Sequence, residues 1–349
     1  MKKLTLYFGV LCIFFGINAY IFNHKIKKIN VRLNRITDQS VCLGQAKSIA
    51  SEIFYEHAKK KIDSLRKGLD TKSNEVLDYV LRSMQYENYF KGLCWEKFEI
   101  AFPTYQYEHK QHWLSEKPQI MKKYNIRSDY ICPEVFYFHH GLRFADQKIL
   151  DYIKDKDIID CGAFIGDSVL VLRNYTNKTI YCYEFSKPNI RDFEALMRAN
   201  NISSGYKIIP NALGDKIYKI CINNSNETNS AEQLVASGNG NENGYIVDVT
   251  TIDEDIKKYG FKIGLIKMDV EGAGMQVIRG GVETIKKHRP VLSLAVYHNT
   301  DELFGIKPFL EKHLDNYVFE FKLQQFDIGN FNEMILFAYP REIMEEYTN

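Results

Sequence analysis

Short apolar runs and helical segments alternate regularly after residue 148, and this alternation leaves few possible folds. Runs typical of β-strands lie at residues 157–161, 179–184, 206–212, 217–222, 245–249, 262–270, 291–297, 317–322 and 333–339. Segments with helical periodicity separate many of them, at residues 167–174, 188–200, 251–259, 275–287 and 301–314. The pattern predicts an α/β fold, with a parallel sheet that is covered by helices on both faces.

An apolar segment without a charged side chain, LTLYFGVLCIFFGINAYIF, occupies residues 4–22. As a helix it would span about 28 Å, close to the hydrocarbon thickness of a bilayer. The segment predicts an uncleaved single-pass membrane anchor, and a cleaved signal peptide or a buried helix is the alternative. Lys25, Lys27, Lys28, Arg32 and Arg35 follow the segment and outnumber the basic residues before it, which predicts that the rest of the chain lies in the cytoplasm.

Composition agrees with a folded intracellular domain. The seven cysteines are odd in number and form no C-x-x-C pair, which favours a reducing compartment over a disulfide framework. The net charge of +2, from 46 basic and 44 acidic residues, excludes a protein that depends on non-specific binding to nucleic acid. The content of 45% hydrophobic and 26% charged residues excludes a disordered chain and a multi-span membrane protein.

Residues 30–145, between the apolar segment and the α/β region, have a different pattern. Up to about residue 91, apolar residues at helical spacing predict two or three helices in a stalk or cap. Residues 89–143 predict aromatic-rich loops, whose rings suit either core packing or the wall of a pocket. The sequence thus predicts an anchor with its basic flank (1–29), a helical stalk or cap (30–145) and an α/β domain (146–349).

The ends of the first two predicted strands of the α/β domain suggest a cofactor site, because open α/β sheets bind ligands beyond the carboxyl ends of their strands. Asp160 ends the first strand, and Gly162 and Gly166 allow a close ligand approach and a tight helix start. Glu184 ends the second strand, where an acidic side chain can bind both hydroxyls of a ribose. The glycine spacing differs from G-x-G-x-x-G, which disfavours a nicotinamide oxidoreductase.

A second group of candidate site residues follows later strands at the same sheet edge. Asp269 and Glu271 end the predicted strand at residues 262–270, and such carboxylates can hold an ammonium group, bind a metal or act as a base. Capping of a helix is their structural alternative. His298 follows the next strand, where an imidazole suits a general base, with a purely structural role as the alternative. We expect Asp269, Glu271 and His298 to converge on one side of the cleft and to act without a metal ion.

Seven motifs follow one another in residues 158–340: IIDCGAFIGDS, IYCYEFSKPN, IIPNALGD, TTIDE, LIKMDVEGA, VIRGG and KHRPVLSLAVYHN. In this order they resemble the FkbM family of S-adenosylmethionine-dependent methyltransferases. The resemblance implies the class I methyltransferase fold, a Rossmann-like sheet of seven strands whose final strand is antiparallel. It also implies S-adenosylmethionine as the cofactor.

The resemblance also implies roles for individual residues. The first cofactor motif comprises residues after the first strand: Asp160, Gly162, Ala163, Gly166 and Asp167. Glu184 is expected to bind the ribose, and Asn211 and Ala212 are expected to lie near the adenine. Asp269 and Glu271 match the family's acidic K-x-D-x-E-G signature, Glu271 as a cofactor-binding residue and Asp269 as a catalytic one.

Two residues depart from the family pattern. Phe185 stands where the family usually has proline, which alters a turn. Gly274 stands where a second glutamate often follows E-G-A, so one carboxylate of the acidic site is absent from the sequence. This loss casts doubt on transferring the full acidic site to the chain.

The sequence therefore favours an enzyme that transfers a methyl group from S-adenosylmethionine to an oxygen of a sugar or glycolipid-like acceptor. Its acceptor is expected at the cytoplasmic membrane face, with His298 or Asp269 as the base and no nucleic acid as partner. The alternative is a catalytically inactive, membrane-tethered binding or scaffolding protein with the same fold.

Overall fold

The computed structural model describes residues 58–90, 104–223, 244–326 and 332–345. The predicted anchor at residues 4–22 lies outside these ranges, as do residues 30–57 and 91–103 of the predicted stalk or cap region and residues 224–243 of the predicted α/β domain. No helix within the described ranges has both the length and the apolar character that a membrane crossing requires. The anchor and the predicted division into three regions therefore stay predictions.

The strands of the described residues form two sheets. In chain order they are β1 (Asp157–Cys161), β2 (Ile180–Tyr183), β3 (Tyr206–Ile209), β4 (Ala212–Leu213), β5 (Tyr218–Asn223), β6 (Gly244–Thr250), β7 (Ile263–Met268), β8 (Val291–Ala295), β9 (Tyr317–Leu323) and β10 (Met334–Pro340). The main sheet has the order β3-β2-β1-β7-β8-β10-β9. Strand β10 pairs antiparallel with β8 and β9, whereas the pairs from β3 to β8 are parallel. The predicted seven-stranded, class I methyltransferase-like α/β fold is confirmed.

Helices cover both faces of this sheet. In chain order they are α1 (Ala58–Arg66), α2 (Thr71–Phe90), α3 (Thr104–Lys123), α4 (Pro133–Phe136), α5 (Gln147–Lys154), α6 (Asp167–Leu172), α7 (Lys187–Ala199), α8 (Ile252–Tyr259), α9 (Gly274–Arg279), α10 (Val282–His288), α11 (Thr300–His313) and α12 (Glu342–Glu345). Ile158 and Ile159 of β1 are both fully buried, yet they belong to different apolar clusters because successive side chains of a strand point to opposite faces. The core therefore has two layers, one on each side of the sheet.

The helices that precede the sheet pack on its edge. The N–H of Phe321 in β9 donates a hydrogen bond to Ser73 Oγ of α2 at 3.0 Å. Residues 104–123 form helix α3, so the prediction of an aromatic-rich loop was wrong over this range. Sequence periodicity missed α3 because only Gln106 and Trp113 are buried on it, among the side chains that the structure describes. Gln106 is held by a bond from its Nε2 to Leu323 O at 2.8 Å.

Two predicted elements are divided in the structure. The predicted strand at residues 206–212 ends at Ile209, and β4 joins β6 and β5 in a small separate sheet. The predicted helix at residues 275–287 becomes α9 and α10, which meet at Gly280 and Gly281. A Cβ at Gly280 would lie 2.0 Å from Gly214 O. The division follows from this close contact between backbones, which only glycine permits.

Candidate active site

The turn between β1 and α6 lies directly against the loop that follows β7. Gly162 has a φ of +78°, and a Cβ there would lie 1.9 Å from the carbonyl oxygen of Asp269. The Asp269 N–H donates to Cys161 O at 2.9 Å, which holds the two loops together. Gly166, with a φ of +81°, packs on the Phe193 ring, and a Cβ there would lie 2.7 Å from that ring. Glycine is required at both positions because a side chain would collide with the Asp269 carbonyl at the first and with the Phe193 ring at the second.

Asp160 lies beneath this turn, behind the residues that line the cavity described below. It is fully buried, and its Oδ1 is 3.0 Å from Lys267 Nζ. Lys267 Nζ also donates to Gly162 O at 2.9 Å. Burial raises the pKa of Asp160, and the neighbouring Lys267 opposes that rise. Asp160 therefore fixes the glycine turn through Lys267. Ala163, also predicted to bind the cofactor, is buried at 1% exposure.

A cavity of about 440 Å³ opens at the carboxyl ends of β1, β2 and β7. Several residues singled out from the sequence line it: Gly162, Asp167, Glu184, Asn211, Ala212, Asp269 and Glu271. Glu184 is held in its wall by two backbone bonds, from Phe164 N to Oε2 at 2.9 Å and from Ser186 N to Oε1 at 2.8 Å. Burial raises the pKa of Asp167 to about 6. The structure thus gathers at one cavity the residues that the sequence places at separate strand ends.

Asp269, Glu271 and His298 form an acidic corner at this cavity. His298 Nε2 lies 3.2 Å from Asp269 Oδ1 and 3.8 Å from Glu271 Oε2. On the other side of the ring, His298 Nδ1 lies 2.8 Å from Glu302 Oε2. The His298 side chain is only 3% exposed. It therefore stands behind the two carboxylates, which themselves line the cavity.

The neighbouring carboxylates of this corner shift the pKa of His298. Burial alone would lower the pKa of His298, but Asp269 and Glu302 outweigh it and raise this pKa to about 11. Burial likewise works against the charged form of Asp269, yet His298 and Lys267 hold the pKa of Asp269 below its usual range. His298 is thus held between Asp269 on one side of its ring and Glu302 on the other. Its role as a general base stays a prediction from the sequence.

Glu302 is a site residue that sequence reasoning missed. It lies in the first turn of α11, and its side chain is fully buried. Besides its contact with His298, it accepts a bond from Gly274 N to Oε1 at 2.9 Å. Asn299 caps the helix, since Glu302 N donates to Asn299 Oδ1 at 2.9 Å. The spacing of His298 and Glu302, four residues apart at a helix start, was the available signal.

The cavity is strongly acidic, and this too was missed. Seven carboxylates line it: Asp129, Glu134, Asp167, Glu184, Asp269, Glu271 and Glu333. Lys267 is the one lysine or arginine among the described lining residues, and it is already paired with Asp160. Partial burial raises the pKa of Glu134 to about 7. No sequence signal marked Glu134 or Glu333, because both reach the cavity from segments outside the motifs.

Comparison with known proteins agrees with this architecture. A family profile described as the methyltransferase FkbM domain matches residues 160–338, just over half of the chain. No curated protein matches the chain in sequence. Among solved structures, a methyltransferase FkbM from Methylobacillus flagellatus KT aligns with a TM-score of 0.54 at 17% identity. The alignment covers 84% of this chain and 61% of that protein, so this chain spans less than two thirds of its length.

Other solved structures align less closely. An rRNA methylase from Streptococcus thermophilus has 9% identity and a TM-score of 0.36, covering 56% of this chain and 92% of its own. A precorrin-6y C5,15-methyltransferase from Geobacter metallireducens GS-15 has 14% identity and a TM-score of 0.32, covering 54% of this chain and 83% of its own. The family profile begins within β1 and ends within β10, so it includes the strand ends that border the cavity. The chain belongs to the FkbM methyltransferase family.

Proposed function

We propose that the protein transfers a methyl group from S-adenosylmethionine to a hydroxyl oxygen of an uncharged acceptor, such as a sugar or the glycan of a glycolipid. The observation that carries this proposal is the cavity in which the Gly162 turn, Glu184 and the carboxylates of Asp269 and Glu271 meet. It lies beyond the carboxyl ends of parallel strands, where open α/β sheets bind ligands. Its volume of about 440 Å³ suits a small molecule.

The residues present fit the proposed cofactor. Two backbone bonds fix the Glu184 carboxylate at the cavity wall, an orientation that suits a bidentate grip on a ribose diol. Asn211 and Ala212 line the same cavity after β3 and offer a place for the adenine. Gly162 lines the cavity as well, and its backbone offers a place for the methionine part. The acidic walls favour a cofactor that carries a sulfonium and an ammonium charge.

The acidic side chains of the cavity also restrict the charge of the acceptor. A cavity lined by seven acidic side chains and one paired lysine disfavours phosphate groups, which carry more negative charge than the cofactor's single carboxylate. Phosphorylated compounds and nucleic acids are therefore disfavoured as acceptors, and neutral hydroxyl compounds are favoured. A membrane-bound acceptor is suggested by residues 4–22 alone, and a membrane location with a cytoplasmic catalytic domain stays a prediction from the sequence.

Methyl transfer requires a residue that takes the hydroxyl proton. S-adenosylmethionine supplies the methyl group, because its carbon–sulfur bond breaks as the acceptor oxygen bonds to the methyl carbon, and the electron pair stays on sulfur. We assign the proton to Glu134, which lines the cavity and has a pKa raised to about 7 by partial burial. A carboxylate with such a pKa can accept a proton near neutral pH. Glu134 is thus a second candidate base beside His298, the base predicted from the sequence.

Calorimetric titration of the full chain with S-adenosylhomocysteine tests cofactor use. Glu184→Gln should weaken binding by about 1.5–3 kcal/mol, or about 10- to 150-fold, because charge-assisted bonds to the ribose are lost. Glu194→Gln, a matched change on the exposed side of α7, should leave binding unchanged. A folded wild-type chain that does not bind S-adenosylhomocysteine would refute the proposal.

A turnover assay distinguishes an active methyltransferase from a catalytically inactive scaffolding protein. Wild-type protein should consume S-adenosylmethionine in the presence of at least one neutral acceptor from a panel of free sugars and lipid-linked glycans. Cofactor binding without turnover on any member of the panel would favour the scaffolding protein. Turnover restricted to phosphorylated or nucleic-acid acceptors would contradict the argument from cavity charge.

A further inference from the structure

Three side chains from two loops bring possible metal ligands together at the acidic corner of the cavity. One ligand atom each from Asp269, Glu271 and His298 lies within 4.8 Å of the others. The distances from His298 Nε2 are 3.2 Å to Asp269 Oδ1 and 3.8 Å to Glu271 Oε2. Ligands bound at about 2.0–2.2 Å to one ion lie about 3–4.2 Å apart. A small movement of Glu271, whose side chain is 38% exposed, would complete such a site.

The orientation of His298 is the one that metal-binding histidines adopt. Glu302, fully buried, lies 2.8 Å from His298 Nδ1 and accepts its N–H. Metal-bound histidines commonly donate their second ring nitrogen to a carboxylate in this way, which fixes the tautomer and aims the other nitrogen at the ion. In His298 this other nitrogen is Nε2, and it faces Asp269 and Glu271.

Two buried polar atoms in this corner lack hydrogen-bond partners. His298 Nε2 and Asp269 Oδ1 are both shielded from solvent. Neither atom has a partner among the described residues at an angle and distance that make a hydrogen bond. Buried polar atoms are nearly always satisfied, so two such atoms 3.2 Å apart require a proton or a cation between them. Lys267 does not fill this role, since its Nζ contacts Asp160 Oδ1 at 3.0 Å and Gly162 O at 2.9 Å.

We propose that Asp269, Glu271 and His298 bind a divalent metal ion, with Glu302 as the residue that orients His298. Two carboxylates and one imidazole form a mixed oxygen and nitrogen set, which suits a first-row divalent ion such as Mn²⁺. This proposal revises the expectation, drawn from the sequence, of a site without metal. The metal site is inferred from the arrangement of these side chains alone, and only its catalytic role rests on the proposed function. There the ion would bind the acceptor oxygen and make the hydroxyl proton easier to remove.

Titration of the full chain with Mn²⁺, followed by the electron paramagnetic resonance signal of the free ion, tests the site. We expect one saturable site per chain, from which Zn²⁺ displaces Mn²⁺. His298→Ala and Glu271→Gln should each weaken binding by about 100-fold or more, and Glu302→Gln by about 10- to 100-fold. Glu271→Gln is the more informative change, because Glu271 is partly exposed and the fold should tolerate it. Glu194→Gln, which removes an exposed carboxylate of α7 outside the cavity, should leave Mn²⁺ binding unchanged.

Failure to bind Mn²⁺ or Zn²⁺ by a chain with a native circular dichroism spectrum would overturn the proposal and leave a proton as the occupant. Binding that survives both His298→Ala and Glu271→Gln would also overturn it. Calorimetry with S-adenosylhomocysteine on the same samples separates this proposal from the proposed function. Mn²⁺ binding without S-adenosylhomocysteine binding would support the metal site and refute the proposed methyltransferase function. S-adenosylhomocysteine binding without Mn²⁺ binding would refute the metal site alone.

Discussion

Alanine at Gly162 should destabilise the protein more than alanine at Gly205, although the two glycines have nearly the same backbone conformation. Their φ angles are +78° and +85°. At Gly205 an added Cβ would meet nothing within 4 Å, so the cost is that of a left-handed alanine, about 1–2 kcal/mol. At Gly162 the same Cβ would lie 1.9 Å from Asp269 O. The difference between the two variants therefore isolates the close approach of the two loops.

The extra cost at Gly162 follows from this contact. A Cβ essentially never approaches closer than 3.0 Å, so the Asp269 carbonyl must retreat by about 1.1 Å from its position at 1.9 Å. Such overpacking costs about 1–3 kcal/mol, and it strains the bond from Asp269 N to Cys161 O. Gly162→Ala should thus lose about 2–5 kcal/mol in all, which combines both costs. It should also weaken S-adenosylhomocysteine binding, because Asp269 moves at the cavity wall.

Urea unfolding of the full chain, followed by circular dichroism, measures both variants against the wild type. A comparison of midpoints is valid if the slope of the free energy of unfolding against urea is the same in all three proteins. Equal destabilisation by Gly162→Ala and Gly205→Ala would show that the contact between the loops is not tight. The argument that this turn needs glycine for packing would then fail.

Two further predictions concern other charged groups of the site. Lys267→Met should cost about 3–5 kcal/mol because it leaves Asp160 buried without its partner, and a second change, Asp160→Asn, should restore most of the loss in thermal unfolding. Glu134→Gln should lower the rate of methyl transfer by about 10²–10⁴ while calorimetry finds S-adenosylhomocysteine affinity unchanged. A proportionate loss of affinity would argue instead that Glu134 contacts the cofactor.

Much of the fold could be predicted because its signals are local. Buried strands appear as short apolar runs, and the alternation with helices restricts how they can pair. Helix α3 could not be found in this way, because few of its side chains are buried and it is held by bonds to residues far away in the chain, such as those from Gln106 to Leu323 and from Lys110 to Phe326. The break between α9 and α10 also depends on a partner far away in sequence, Gly214.

The site was predictable only where it lies at strand ends. Glu184, Asp269 and His298 follow strands, and the rule that ligands bind at the carboxyl ends brings such residues together. That rule cannot say which side chains face the cavity and which stand behind it, so it did not distinguish Asp160 from Glu184. Glu134 precedes the sheet and reaches the cavity only through the packing of α4. Its role could not be inferred without the tertiary structure.

The glycine at position 274, where a second glutamate often follows E-G-A in the family, has a packing explanation. A Cβ there would lie 2.7 Å from Glu302 Oε1 and 2.7 Å from Met268 Cε, so a side chain at 274 and the carboxylate of Glu302 compete for one space. Gly274 yields that space and donates its N–H to Glu302, whose other oxygen contacts His298. A side chain at position 274 would collide with the buried Glu302 carboxylate, so the glycine at this position follows from the placement of Glu302 beside His298.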